Sequence, residues 1–233
     1  MSRPVGTPKP SACRLFSIGH SSHDLPRLVE LLQQVGVTAV ADVRSSPFSQ
    51  RHPQFNRPDL EWGLKQQGIA YLFLGDFLGG RPRQASMYDP EGRADYERMR
   101  LSAPVQVGLD CLCRALDRDT LAMLCAEEDP LDCHRGLMIT PALLERGISP
   151  EHLRGNGSVE TTPAMEDRLL AVAGVGSGIL DGLFGSLISA EERRQFLRQA
   201  YRLQARRKAF RLKPGDSLLV PPDADDEGVS DGE

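Results

Sequence analysis

Short apolar runs that stop at glycine or at polar residues alternate along this chain with stretches whose apolar positions recur at helical spacing. LFSIGH (15–20) reads as a strand. DLPRLVELLQQV (24–35) puts Leu25, Leu28, Val29, Leu31 and Leu32 near one face and predicts an amphipathic helix, with Gly36 as its C-cap. VTAVADVR (37–44) follows as a strand. Residues 57–67 form a second predicted helix, with Pro58 in its first turn, where a missing N–H costs nothing. IAYLFL (69–74) is a third strand, entered after Gly68. Residues from about 95 to 116 are helical with an interruption at Pro104, and TLAMLCAE (120–127) is a buried strand. A helix from Cys133 to Glu145 ends at Gly147, and ISPEHL (148–153) offers a last short strand. Strand and helix repeated in this order predict an α/β domain over residues 14–153. Its expected form is three-layer, with a mainly parallel open sheet and crossover helices.

The flanking segments lack this alternation. Residues 1–13 are polar and rich in proline and serine, and are expected to be disordered. Residues 154–188, with GVGSGILDGLFGSL, read as a glycine-rich linker or add-on. Residues 189–212 predict a C-terminal helical extension, opened by a capping box of Ser189 and Glu192. That helix carries eight cations against two acids, a pattern that fits an acidic partner or a solvated basic face packed on the domain. The tail at 213–233 holds seven acids after Lys213 and no base, and is expected to be disordered.

A parallel sheet binds ligands beyond the carboxyl ends of its strands. The reactive residue types gather at those ends: His20 and Ser21 after the first strand, Asp42, Arg44 and Ser45 after the second, and Gly79, Gly80 and Arg81 after the third. Glu127 and then Cys133, His134 and Arg135 follow the fourth. The expectation is one shared site at this edge. Composition changes that picture little. Net charge is −4, so the chain as a whole does not advertise nucleic-acid binding. No apolar run approaches the roughly 20 residues that span a bilayer, and the N-terminus has no apolar signal core, so the expected location is the cytoplasm and no membrane partner is expected. The five cysteines form no CxxC pair and are expected to be reduced.

The motifs FSIGHSS, ADVRSSPFS, PQFN, YLFLGDFLGG, ADYERM, LCAEEDPLDCHR and EHL occur in this order over residues 14–153. Together they resemble the bacterial and archaeal family catalogued only as domain of unknown function four-eight-eight. The resemblance implies an α/β domain and a set of polar signature positions, matched here by Gly19, His20, Ser21, Asp42, Arg44, Pro47, Ser49, Gly79, Gly80, Glu127, Cys133, His134, Arg135 and His152. It implies no established activity. The acidic spacer EDPLD before Cys133 departs from the aromatic or basic residue often found there.

The stretch EEDPLDCHR (127–135) admits three chemistries. Asp132 as N-cap would let Cys133 open a helix, whose N-terminal partial charge depresses a thiol pKa. Cys133 would then be a nucleophile with His134 or His20 as base. Cys133 and Arg135 stand two apart, and no Cys-x5-Arg spacing occurs, which argues against a cysteine-phosphatase loop. Alternatively, Asp42 or Glu127 is the general acid/base and His20, Arg44 and Arg135 hold a phosphate. Thirdly, Cys125, Cys133, His134 and His20 bind a metal; the eight-residue step between the cysteines fits no common zinc pattern, and no metal was assigned on that ground. The candidate catalytic residues are therefore Asp42, Glu127, Cys133, His134 and His20. The candidate anion-binding residues are Arg44, Arg135, Ser21, Ser45, Gly79 and Gly80. The sequence names no cofactor. The working expectation is a hydrolase or transferase for a phosphate-bearing substrate such as a nucleotide or nucleic acid; the alternatives are a non-catalytic nucleotide sensor or nucleic-acid adaptor, and a metal-binding protein.

Overall fold

The computed structural model describes residues 14–176, 189–213 and 216. Six strands form one sheet: β1 (Leu15–Gly19), β2 (Ala39–Asp42), β3 (Ala70–Phe73), β4 (Leu121–Cys125), β5 (Glu151–Leu153) and β6 (Val159–Thr161), in the order β3-β2-β4-β1-β5-β6. β1 to β5 pair in parallel and β6 runs antiparallel against β5. The helices are α1 (Leu25–Gln34), α2 (Arg57–Gln66), α3 (Gly75–Leu78), α4 (Tyr96–Leu101), α5 (Ala103–Leu116), α6 (Thr140–Leu144), α7 (Thr162–Ala173) and α8 (Ala190–Lys208).

The alternation of strand side chains divides the core in two. Phe16, Ile18, Val40, Ala122 and Leu124 pack with Leu28, Leu31 and Leu32 of α1 and Leu60 and Leu64 of α2. Leu15, Ala39, Ala41, Leu121 and Met123 face the other way, onto Leu109 and Leu112 of α5, Leu143 of α6 and Leu169 of α7. Strands covered on both faces read as continuous apolar runs, which is why TLAMLCAE stood out. The architecture is the expected three-layer α/β fold. Gly36, at φ 72°, ends α1 in the left-handed region as its sequence position suggested.

Two expectations need correction. Residues 159–173 fell in the stretch read as a linker or add-on, yet they form β6 and α7, and α7 packs against α8. The apolar residues of α7 are few and spaced by small ones, so its helical signal was weak in the sequence. Secondly, the helix read from Cys133 to Glu145 is present, but Asp132 is not its N-cap: it starts at His134 and opens with a π-helical turn that runs on into α6. Asp132 closes a 3-10 turn (Pro130–Asp132), Cys133 is extended, and the chain enters a π-helical turn (Arg135–Ile139) before α6. Pro141 has no N–H to donate to Leu137, and the wider turn lets the Thr140 N–H and hydroxyl both reach the Arg135 carbonyl instead. The expected disorder of residues 1–13 and most of the acidic tail lie outside the described residues.

The extension folds back on the domain. α8 begins with the Ser189–Glu192 capping box. It buries Ala200 and Gln204, and Gln204 donates to the Leu131 carbonyl at 3.0 Å. Its cations find partners within the chain: Arg193 with Asp167, Arg194 and Arg198 with Glu191, Arg202 with Glu97, and Lys208 with Asp132. Beyond α8, the Phe210 carbonyl accepts from Ala94 N–H and Leu212 N–H donates to Gly92. No helix among the described residues is long and apolar enough to cross a membrane.

Candidate functional site

A cavity of about 270 Å³ opens where β2 and β4 end, between Arg44, Ser45, Ser46, Gly80 and Arg81 on one side and Cys125, Glu127, Cys133 and His134 on the other. Tyr96, Asp132, Lys208 and Phe210 complete its wall.

Arg44 is fixed from behind. Asp42, wholly buried, accepts from Arg44 Nε at 2.9 Å and Nη2 at 2.6 Å, and also from the Arg44 backbone N–H. Arg44 Nη2 donates further to the Phe55 carbonyl. Nη1 makes no hydrogen bond among the described residues, and Arg44 borders the cavity. Tyr71 donates at 2.8 Å to Asp42 Oδ2, the oxygen that also accepts from Arg44 Nη2, and burial followed by the Asp42 charge pushes its hydroxyl pKa up. Burial disfavours the Arg44 charge, but the Asp42 pairing outweighs it and raises the guanidinium pKa. Asp42 therefore bonds Arg44 and Tyr71 behind the site and does not itself line the cavity.

The floor is a cluster of sulfur and nitrogen donors. His134 Nε2 lies 2.9 Å from the Val43 carbonyl and donates to it, which leaves Nδ1 facing Cys133 Sγ at 3.6 Å and Cys125 Sγ at 3.8 Å; burial disfavours the ring's charge, but the neighbouring Cys133 outweighs it and raises the His134 pKa. The donor atoms of Cys125, Cys133 and His134 all lie within 4.8 Å of one another, and all three residues are buried. Cys125 Sγ also donates to Glu127 Oε2 at 3.0 Å. Burial alone would raise the Cys133 thiol; the hydrogen bond from Cys125 and the charges of His134 and Arg135 pull it well below its usual range. Burial and the Cys133 charge push Cys125 up, and burial raises Glu127 with Cys133 next. The four described cysteines are free thiols.

The approach of these loops depends on missing side chains. A Cβ at Gly80 would stand 2.8 Å from His134 Cγ and 2.9 Å from Nδ1, and one at Gly19 would overlap the Glu127 carbonyl. Gly79 packs on Ser45 instead and lines a neighbouring, more apolar groove of about 450 Å³ that shares Ser45 and Arg81 with the site.

Three expected residues lie elsewhere. Arg135 does not reach the cavity: it is 1% exposed, and Nη1 and Nη2 each donate at 2.6 Å to the Glu127 and Glu128 carbonyls, while Nε has no partner among the described residues. It braces the loop rather than holding a ligand. His20 stacks on Phe55 at 4.3 Å, with Nδ1 bonded to the Ser21 carbonyl, and burial lowers its pKa to about 4, so it is neutral and packed. Ser21 borders a separate cleft with His23, Glu128 and Arg154. His152 is a core residue, between Ser17 Oγ at 2.8 Å and Thr162 Oγ1 at 3.4 Å.

A family model described as domain of unknown function DUF488 matches residues 24–140. The chain belongs to this family. No curated protein and no solved structure matches it. The DUF488 segment supplies Asp42, Arg44, Gly80 and the whole Cys125–His134 cluster, but not all of the cavity. Lys208 and Phe210 come from the extension: Lys208 Nζ lies 2.8 Å from Asp132, and the Arg81 guanidinium sits 4.7 Å over the Phe210 ring. Sequence reading set Arg81 beside Gly79 and Gly80 at this edge but gave it no role, and it missed Tyr96, Lys208 and Phe210 as cavity residues. Arg81, directly after the Gly79-Gly80 pair, carried a local signal; the other three are brought in by the packing of α4 and α8.

Proposed function

We propose that this chain is an enzyme, a hydrolase or transferase, that acts on a phosphate-bearing substrate such as a nucleotide at the cavity between the ends of β2 and β4. One observation carries the reading. Asp42 and the Phe55 carbonyl take the Nε and Nη2 groups of Arg44, leaving Nη1 without a partner among the described residues on a side chain that lines a cavity with Arg81 and Lys208. Such a preset guanidinium suits an anion better than an apolar ligand, because its orientation is already fixed before binding. Arg81 has no carboxylate partner among the described residues, and Lys208 can exchange Asp132 for the ligand.

Beside these cations stand the groups that can do chemistry: Cys133 and His134 on the floor and Glu127 at the rim. Glu127 is the general acid/base candidate, since its carboxylate touches both the cavity and the cluster. The Gly79 groove adjoining at Ser45 offers room for the organic part of a substrate.

A thermal-shift screen of pyrophosphate and nucleotides, followed by product analysis with every hit, tests the proposal. Stabilisation by phosphate-bearing compounds is expected, with turnover lost in Glu127→Gln and affinity lost in Arg81→Ala. Stabilisation by none of them would remove the phosphate reading. Binding without turnover of any hit would favour a nucleotide sensor over an enzyme.

A further inference from the structure

The donor set on the cavity floor has a use that charge alone does not explain. We propose that Cys125, Cys133 and His134 bind one zinc ion, with its fourth position open to the cavity. What that ion would act on rests on the reading above; its binding does not.

The geometry is that of a zinc site before the ion arrives. Four-coordinate zinc, with bonds of about 2.3 Å to sulfur and about 2.0 Å to nitrogen, holds sulfur and nitrogen roughly 3.6 Å apart. His134 Nδ1 lies 3.6 Å from Cys133 Sγ and 3.8 Å from Cys125 Sγ. The other ring nitrogen donates to the Val43 carbonyl at 2.9 Å, which sets the plane of the ring and, in the neutral form a metal requires, puts the lone pair on Nδ1. Gly80 presses on the same ring, where a Cβ would come within 2.8 Å of it. The imidazole is therefore held from two sides with its acceptor aimed between two sulfurs. Two cysteines and an imidazole select zinc over magnesium or calcium, which prefer oxygen.

The spacing that argued against a metal in the sequence is resolved by the fold. Cys125 ends β4, and Cys133 and His134 lie at the entry to the π-helical turn. The intervening loop doubles back, pinned by Arg135 on the Glu127 and Glu128 carbonyls. Common zinc patterns place ligands on a knuckle two to four residues long. Here a braced loop performs the same juxtaposition over a longer step. Three protein ligands with an open fourth position are the arrangement of catalytic rather than structural zinc. Glu127, 3.0 Å from Cys125 Sγ and at the rim, stands where a base for an ion-bound water is needed.

The test uses the full chain, purified without chelator from zinc-supplemented cells. Elemental analysis is expected to find about one zinc per chain, and C125S, C133S and H134N to reduce it by more than about tenfold. Exchange for cobalt should give the sulfur-to-metal charge-transfer and visible bands of a four-coordinate thiolate site. Should those variants misfold, wild-type protein stripped by chelation serves instead: added zinc should slow alkylation of Cys133 by iodoacetamide by about tenfold or more, as ligation removes the free thiolate. Protein that carries no zinc, gives no cobalt spectrum and alkylates at the same rate with and without zinc would overturn the proposal. Pyrophosphate binding in such metal-free protein would leave the anion-binding reading standing. Stoichiometric zinc without pyrophosphate binding would remove that reading and support this one.

Discussion

Arg44 and Arg135 are both buried guanidiniums at strand-end loops, and in the sequence they looked alike. Their partners separate them. Arg44 has the Asp42 carboxylate behind it and the cavity in front; Arg135 has only the carbonyls of Glu127 and Glu128. Which role a guanidinium takes depends on contacts made across the sheet, so the sequence could mark both as anion holders and could not rank them. Asp42 was legible as a site residue but not by its partners, because the sequence does not show the Arg44 side chain folding back two residues, and Tyr71 meets Asp42 only once β2 and β3 pair. Asp42→Asn leaves Arg44 buried without its counter-charge. Breaking a buried pair from one side costs about 3–5 kcal/mol, so a urea unfolding midpoint well below wild type is expected. Tyr71→Phe removes one hydrogen bond from the same carboxylate and should cost about 1 kcal/mol in the same assay, with Arg44 still in place.

At the scale of elements, the strand-to-helix junction after β4 and the return of α8 build the site together. The order of strands and helices could be read from periodicity and glycine punctuation because β1, β2 and β4 are buried along their whole length. The π-helical entry to α6 could not, since it depends on the Thr140 N–H and hydroxyl both reaching back five residues to the Arg135 carbonyl. The extension was legible as a capped basic helix. Its contribution to the cavity was not, because Lys208 and Phe210 lie more than sixty residues beyond the family match. Phe210→Ala should cost less than the roughly 3–5 kcal/mol of a fully buried Phe→Ala, since the ring is only partly buried, yet weaken pyrophosphate binding by freeing Arg81 from its stacked position. Equal loss of stability and no change in binding would assign Phe210 to packing alone.

For the whole molecule, buried histidines and an ion network set the response to acid. Burial holds His20 at about 4, and His152 at about 3 with the Arg135 charge next, both below the ordinary value of 6.5. An unfolded chain takes up these protons first, so stability is fully present above about pH 6.5 and falls as pH drops toward 4. Each pKa unit is worth about 1.4 kcal/mol. Asp129 adds a second window. Burial opposes its charge, but Arg168 and the Leu131 N–H hold it at about 2 against an ordinary 3.8, so its share is lost between those values as pH falls. Urea midpoints measured from pH 7.5 to 4.5 should decline steadily, and His152→Gln should flatten the decline. A midpoint constant across that range would contradict the burial of both rings.

The central claim is that Arg44, preset by Asp42, meets an anion in the cavity. Calorimetric titration of pyrophosphate into the wild-type chain and into Arg44→Lys tests it most directly. Lysine keeps the charge but cannot hold both Asp42 oxygens through a planar fork while presenting a third donor to the cavity. The account predicts saturable binding by wild type, weakened by about tenfold or more in Arg44→Lys with the fold retained by circular dichroism. Equal affinity in the two proteins, or no heat of binding in either, would contradict it.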